Sequence, residues 1–113
     1  MSKRIAAVIT DVLGDRVVVL AEAIAHTIER HFPLFPEEMV LELIERVLRD
    51  PSDIFEERKT HVFHLFYRLN ARHYMVVIVK RVPDGCFFVT AYPTGATHRA
   101  KHKKLRRIRY AKG

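Results

Sequence analysis

Two short segments of the chain hold residue types that can move protons or bind a phosphate group. The first, His26-Thr-Ile-Glu-Arg30-His31, carries two histidines and an arginine, and the second, Thr90-Ala-Tyr92-Pro-Thr, carries several hydroxyl groups. Histidine exchanges protons near neutral pH, and arginine stabilises negative charge on phosphate. Cleavage of RNA by its own 2′-hydroxyl group needs a base, an acid and such a cation. These residue types therefore suggest the site of a ribonuclease at His26, Arg30, His31, Thr90 and Tyr92, and the alternative for Thr90 and Tyr92 is that they are ordinary strand residues of high β propensity.

A helix must position the first segment. Ile24, Ile28 and Phe32 recur every four residues, which predicts a helix over residues 21–32 that Pro33 ends. In the helix, His26 and Arg30 are four residues apart and share a face.

The place of His31 is open at this point. It lies about 140° around the helix axis from His26, at ~100° per residue. It is either a core histidine bonded to a carbonyl group or a side chain that points at a sheet. In the second case it could meet Thr90 and Tyr92, which are two residues apart on a predicted strand and share a face.

A second helix and several strands complete the predicted fold. Pro36 is expected at the first position of this helix, which ends before Asp50-Pro51. Segments rich in β-branched and aromatic residues then predict strands over residues 61–69, 74–82 and 86–92.

Two further segments decide the size of the sheet. Residues 16–20 are interpreted as a strand or as the lead into the first helix, and residues 52–55 as a short turn. We therefore expect an α+β fold in which two N-terminal helices pack on a small antiparallel β-sheet of three to four strands.

The net charge of +7 is concentrated at the C-terminus. From Arg99 onward there are eight Lys and Arg and no acid, so the preceding residues have a net charge of −1. We expect one domain over residues 1–96 and a basic C-terminal tail over residues 97–113. The tail is either a solvated end or a nucleic-acid-binding segment, and we favour the latter because blocks of positive charge suit polyanions. The expected binding residues are Arg99, Lys101, Lys103, Lys104, Arg106, Arg107 and Arg109.

No metal site, cofactor or membrane span is predicted. No apolar run reaches the ~20 residues that a membrane span needs, and the chain lacks a phosphate-binding glycine loop and a His-Glu-x-x-His motif. The apolar run that ends at Asp11 is too weak for a signal peptide. The single cysteine, Cys86, suits a reducing compartment and a buried position. We therefore expect a cytoplasmic protein.

The order of these segments resembles a known nuclease family. His26-x-x-x-Arg30-His31-Phe-Pro resembles the His-Ile-x-x-Arg-His-Pro signature of phage-type nucleases in the barnase/EndoU/colicin/RelE-like group, which share the BECR fold. Residues 47–54 resemble the family's segment after the second helix, and residues 75–80 and 88–94 resemble its final hairpin. The resemblance covers about residues 16–95. The sequence departs from it at Phe32, which precedes Pro33, and in the basic tail.

The resemblance implies a fold with a four-stranded antiparallel sheet and two helices. It also implies RNA endonuclease activity, which the family often uses as a toxin or in conflict between phage and host. We expect a metal-independent endoribonuclease with His26 and His31 as acid and base, Arg30 on the phosphate, and Thr90 and Tyr92 as supporting donors. The expected partners are single-stranded or structured RNA and an acidic antitoxin or immunity protein. The alternative is a non-catalytic RNA- or DNA-binding domain that binds through its basic tail.

Overall fold

The computed structural model describes residues 4–95 and 106–108, which form one sheet and two helices. The elements in chain order are β1 (Ile5–Thr10), β2 (Arg16–Leu20), α1 (Ala21–His31), α2 (Glu37–Arg49), β3 (Asp53–Glu57), β4 (Val62–Arg68), β5 (His73–Val82), β6 (Gly85–Gly95) and β7 (Arg106–Ile108). The strand order across the sheet is β1-β2-β6-β5-β4-β3-β7. Neighbouring strands are antiparallel except β2 and β6, which are parallel.

A hairpin of β1 and β2 precedes the helices. The buried Asp11 carboxylate closes its turn, because its Oδ1 accepts the backbone N–H groups of Leu13 at 3.0 Å and Asp15 at 2.9 Å. Gly14 adopts a φ of 88°, a conformation that glycine reaches without a steric penalty. The turn is therefore fixed by one carboxylate and one glycine.

Both helices contribute to the main core, α2 by packing on the sheet and α1 by lying along β6. α1 follows β2 without a connecting loop and ends at His31, where the Phe32 N–H donates to the Ile28 carbonyl at 2.9 Å. α2 begins at Glu37, with Pro36 just outside it as the N-cap. Its buried face consists of Val40, Ile44, Val47 and Leu48. Apolar residues of both helices join those of six strands in the main core.

A smaller apolar cluster covers the other face of the sheet. Phe55, Phe66, Val76 and Ile78 are buried there. The rings of Phe55 and Phe66 meet edge to face at 5.5 Å, a favourable aromatic geometry. The centre of the sheet is therefore buried on both faces.

The edge of β6 is irregular where it passes α1. Ile78 of β5 pairs with Thr90, but the next residue, Val79, pairs with Phe88, so Val89 is an extra residue in β6. Such a β-bulge bends the strand and changes the direction of nearby side chains. β2 pairs with β6 only at Cys86 and Phe87, and α1 lies beside β6 after that point.

The predicted fold class is wrong in three respects. The helices are not N-terminal, because the β1–β2 hairpin precedes them. The sheet has seven strands rather than three or four, and it is mixed rather than antiparallel. Residues 53–57 form a strand instead of a turn, and residues 106–108, within the segment expected to be a tail, pair with it.

The two predicted helices and the meander of β4, β5 and β6 are confirmed, with small differences at their ends. Among the described residues, no helix combines the length and apolar character needed to cross a membrane.

Candidate active site

An open cleft of about 500 Å³ lies between α1 and β6. Its lining consists of His26, Arg30, His31, Val89, Thr90 and Tyr92. The structure thus brings together all five residues predicted to be catalytic. Their chemical roles stay predictions, but their proximity comes from two segments about sixty residues apart in the chain.

The cleft exists because a helix replaces a strand beside β6. α1 continues the path of β2, and successive contacts show that it runs in the same direction as β6. Thr27 meets Thr90, and one helical turn later His31 meets Tyr92. A helix is wider than a strand and presents side chains rather than backbone groups. Polar side chains of α1 therefore face those of β6 across a groove.

His31 points at the sheet, which decides between the two interpretations of this residue. Its side chain is exposed, and its ring centroid lies 5.8 Å from that of Tyr92 at an interplanar angle of 42°. The interpretation as a core histidine is therefore wrong. His26, also exposed, lines the same cleft from one and a half turns earlier.

Thr27 is a polar residue of this region that sequence reasoning missed. It is fully buried, and its hydroxyl donates to the Thr90 hydroxyl at 3.5 Å, the only side-chain hydrogen bond in the described residues that joins α1 to β6. The bulge at Val89 places Thr90 toward the helix. No sequence signal marks a bulge in advance, so this contact could not be predicted.

The electrostatic setting of the cleft favours phosphate. Burial raises the pKa of the Tyr92 hydroxyl above its ordinary value, so that the group is protonated at neutral pH and can donate a hydrogen bond. Arg30 is exposed, and none of the ion pairs found within residues 4–95 includes it. Its positive charge is therefore available to an anion in the cleft.

A second polar cluster lies at the other end of β6 and has a structural explanation. Arg81 forms an ion pair with Asp15 and lies 4.7 Å from the centre of the Phe63 ring. The Asp15 hydrogen bond raises the pKa of Arg81, and burial raises that of the nearby Cys86 thiol to about 11. A thiol with so high a pKa is a poor nucleophile at neutral pH.

The described residues also bear on a metal site and on the basic tail. In the part of the chain that the structure describes, no three His, Cys, Asp or Glu side chains form a group that could hold a metal ion. Of the tail residues, Arg106 and Arg107 belong to β7, whereas the other five lie outside the described residues: Arg99, Lys101, Lys103, Lys104 and Arg109.

Comparison with known proteins supports a nuclease. Residues 2–113 match the model of a family described as phage-Barnase-EndoU-ColicinE5/D-RelE like nuclease2. No curated protein and no solved structure matches the chain. The match is longer than the resemblance seen in the sequence, since it also includes the β1 strand and the β7 strand. Because the match spans almost the whole chain, this protein belongs to that family of phage-type nucleases, which are described as similar to barnase, EndoU, colicin E5/D and RelE.

Proposed function

We propose that the protein is a metal-independent endoribonuclease that uses the 2′-hydroxyl group of RNA as its nucleophile. The observation that carries this proposal is the α1–β6 cleft, which holds two histidines, an arginine and two hydroxyl groups. A nuclease that carries its own proton donors and acceptors beside a phosphate-binding cation has the groups that transesterification needs.

The proposed reaction assigns the two histidines to proton transfer. One of the pair His26 and His31 removes the proton of the 2′-hydroxyl group, whose oxygen then attacks the adjacent phosphorus. The bond from phosphorus to the 5′-oxygen breaks, and the other histidine protonates that oxygen. The products are a 2′,3′-cyclic phosphate and a 5′-hydroxyl group, and the two histidines have exchanged protonation states.

The other lining residues stabilise the charge on phosphorus. Arg30, one helical turn after His26, binds a non-bridging oxygen with its guanidinium group. Tyr92 and Thr90 donate hydrogen bonds to the oxygens that gain charge in the transition state. Such donors act most strongly when they are fixed before the reaction, and the contacts of Thr90 with Thr27 and of Tyr92 with His31 fix them.

Single substitutions test this site. His26→Ala and His31→Ala should each lower kcat on RNA by about 10²–10⁴-fold in EDTA, the usual contribution of a general acid or base. Arg30→Ala should lower kcat/KM by a similar factor. His61→Asn and Arg49→Ala are matched controls, because both residues are exposed and neither lines the cleft. Asparagine also tolerates the φ of 56° at His61.

The controls should cleave RNA at the wild-type rate, and all five variants should melt near the wild-type temperature. Wild-type activity in both histidine variants would contradict the site. RNA binding without cleavage by the wild-type protein would favour the alternative, a non-catalytic nucleic-acid-binding domain.

We also propose that the basic tail strengthens binding to RNA. Replacing Arg99, Lys101, Lys103 and Lys104 by Gln removes four charges and leaves β7 in place. This variant should bind RNA more weakly, and the slope of log affinity against log salt should fall by about 2.8, from ~0.7 for each lost phosphate contact. An unchanged slope would show that the tail does not contact phosphate.

The same positive charges suit binding to an acidic protein. We propose that an acidic antitoxin or immunity protein inhibits the nuclease by covering its cationic surface. Co-purification of an acidic protein from the native host, together with loss of RNA cleavage in the complex, tests this. A complex that still cleaves RNA would contradict it.

A further inference from the structure

The second half of the sheet carries an uneven distribution of charge. Between Glu57 and Asp84 the chain contains six Lys and Arg and no acidic residue. Arg68 ends β4, Arg72 lies in the β4–β5 loop and His73 begins β5, and all three side chains are exposed. Among residues 4–95, no ion pair neutralises Arg68 or Arg72.

The strand register places Arg68 beside the cleft. Arg68 pairs with Tyr74, and Tyr74 pairs with Thr94, so these three side chains form a row across one face of β4, β5 and β6. The adjacent row on the same face contains Phe66, Val76 and Tyr92. Two strand spacings separate Arg68 from Thr94 by about 10 Å, and Thr94 is about 7 Å along β6 from Tyr92.

Arg72 reaches the end of the same strand. A Cβ atom built on Gly95 would lie 3.7 Å from the Arg72 carbonyl oxygen, and His73 pairs with Gly95. Because α1 and β6 run in the same direction, His31 and Tyr92 lie at the end of the cleft that is nearer to this loop. The loop therefore lies beyond that end of the cleft and does not line it.

Asn70 holds the loop in a fixed shape. Its side-chain oxygen accepts the backbone N–H groups of Arg72 at 2.9 Å and His73 at 3.0 Å, and it lies 3.0 Å from the His73 ring nitrogen Nδ1. The Asn70 carbonyl accepts Arg68 Nε at 3.3 Å. One residue thus holds the loop backbone at Arg72 and contacts the Arg68 and His73 side chains before any ligand binds, which lowers the entropic cost of binding.

We propose that Arg68, Arg72 and His73 form a second phosphate-binding subsite, which holds the RNA backbone next to the nucleotide cleaved in the α1–β6 cleft. This inference rests on the proposed function, since it assigns the subsite to the same substrate. The subsite contributes binding and register, whereas bond breaking takes place beside His26 and His31. It makes cleavage depend on the length of the substrate.

Paired variants test this subsite. The change is Arg68→Ala with Arg72→Ala, and the matched control is Arg58→Ala with Lys59→Ala, which removes the same charge from the β3–β4 turn at the other end of the hairpin. The first readout is equilibrium binding of a ten-nucleotide RNA with a single 2′-deoxy substitution at the cleavage position. The second is the kinetics of cleavage of a long RNA and of a dinucleotide.

The Arg68/Arg72 variant should bind the ten-nucleotide RNA at least tenfold more weakly. Its salt slope should be smaller by about 1.4, from ~0.7 for each of two phosphates. KM for the long RNA should rise with kcat unchanged, and the dinucleotide should be cleaved as by the wild-type protein. The control should change binding much less, and Asn70→Ala should reproduce part of the loss.

Equal binding and an equal salt slope in the Arg68/Arg72 variant and its control would overturn the subsite. A fall in kcat on the dinucleotide would also overturn it, because these residues would then act on the chemical step. Absence of cleavage by the wild-type protein would refute the proposed function alone, since the binding readout does not need catalysis.

Discussion

At the scale of single residues, the cleft combines exposed groups that can react with half-buried groups that are held in place. His26, Arg30 and His31 are exposed, whereas Thr90 and Tyr92 are half-buried. The first three stand on a helix and the last two on a strand, so neither segment alone can bind a phosphate from two sides. Substitutions at Tyr92 and at the buried Thr27 test whether the half-buried groups act as donors that must be held in place.

Tyr92→Phe removes one hydroxyl donor and keeps the ring beside His31. If the hydroxyl stabilises the transition state, kcat should fall by about 10²–10³-fold with KM nearly unchanged, as for loss of one fixed donor. The ring contact at 5.8 Å should preserve the fold. Steady-state kinetics with thermal melting checks both, and a Phe variant with wild-type kcat would exclude a role for the hydroxyl.

The pH dependence of Tyr92 has a definite sign. Burial raises its pKa above the ordinary value, so the hydroxyl keeps its proton across the neutral range and loses it only in more alkaline solution than a solvated tyrosine would. Any loss of activity caused by Tyr92 ionisation should therefore occur above pH 10. A pH–rate profile of the wild-type protein, compared with that of Tyr92→Phe, measures this loss of activity at alkaline pH.

Thr27→Val tests a positioning residue. Valine fills the space of the buried Thr27 but cannot donate to Thr90, so the Thr90 hydroxyl loses its hydrogen bond from α1. We expect kcat to fall by about three- to tenfold, with Thr27→Ser restoring it, because serine keeps the hydroxyl. Loss of activity in the Ser variant as well would indicate a packing role instead.

The sequence predicted the five cleft residues better than their neighbours. Histidine, arginine and tyrosine in two compact segments carry a chemical signal that does not depend on knowing the fold. Thr27 carries none, because a threonine within a helix is common and its contact depends on the bulge at Val89. Its role appears only when α1 and β6 are placed side by side.

At the scale of elements, the β1–β2 turn depends on one buried side-chain oxygen, that of Asp11. Asp11→Asn keeps the side-chain oxygen that accepts the Leu13 and Asp15 N–H groups, whereas Asp11→Ala removes it. The Ala variant should lose about 1–3 kcal/mol, the cost of leaving such donors without an acceptor. Urea unfolding at pH 7 should therefore rank the Asn variant as the more stable of the two.

The same residue gives a prediction about pH. Burial raises the pKa of Asp11, so the folded protein holds this proton to higher pH than the unfolded chain does. Stability from this group is therefore full at pH below the ordinary carboxyl pKa and is lost as the pH rises through the folded value. Asp11→Asn should remove that decline. An identical pH dependence in the wild-type protein and the Asn variant would contradict it.

The elements that sequence reasoning missed are the short strands β1, β3 and β7, of which β1 and β3 each pair with the next strand along the chain. β3 follows Pro51 and contains three acidic residues, a composition typical of a turn, yet it pairs with β4 over five residues. β1 is only six residues long, and its partner cannot be identified from its own sequence. The helices and the long strands β5 and β6 have clear periodicity or β-branched composition, and they were predicted.

At the scale of the whole molecule, the three residues of β7 tie the C-terminal part of the chain to the sheet. Ile54, Phe55 and Glu56 of β3 pair with β7. Deleting residues 97–113 should therefore lower the free energy of unfolding by about 1–3 kcal/mol, from ~1 kcal/mol for each hydrogen bond lost. The variant in which Gln replaces Arg99, Lys101, Lys103 and Lys104 keeps β7, so its free energy of unfolding should not fall in this way. Equal melting temperatures for the truncated and full-length chains would show that β7 adds no stability.

We propose that the α1–β6 cleft cleaves RNA through the 2′-hydroxyl group. This is tested by incubating the full-length protein in EDTA with a labelled single-stranded RNA, beside the same strand carrying one 2′-deoxy nucleotide at the cleavage position. We expect 2′,3′-cyclic phosphate and 5′-hydroxyl ends from the RNA, and no cut at the substituted position. Cleavage of both strands at that position, or products with a 5′-phosphate, would contradict it.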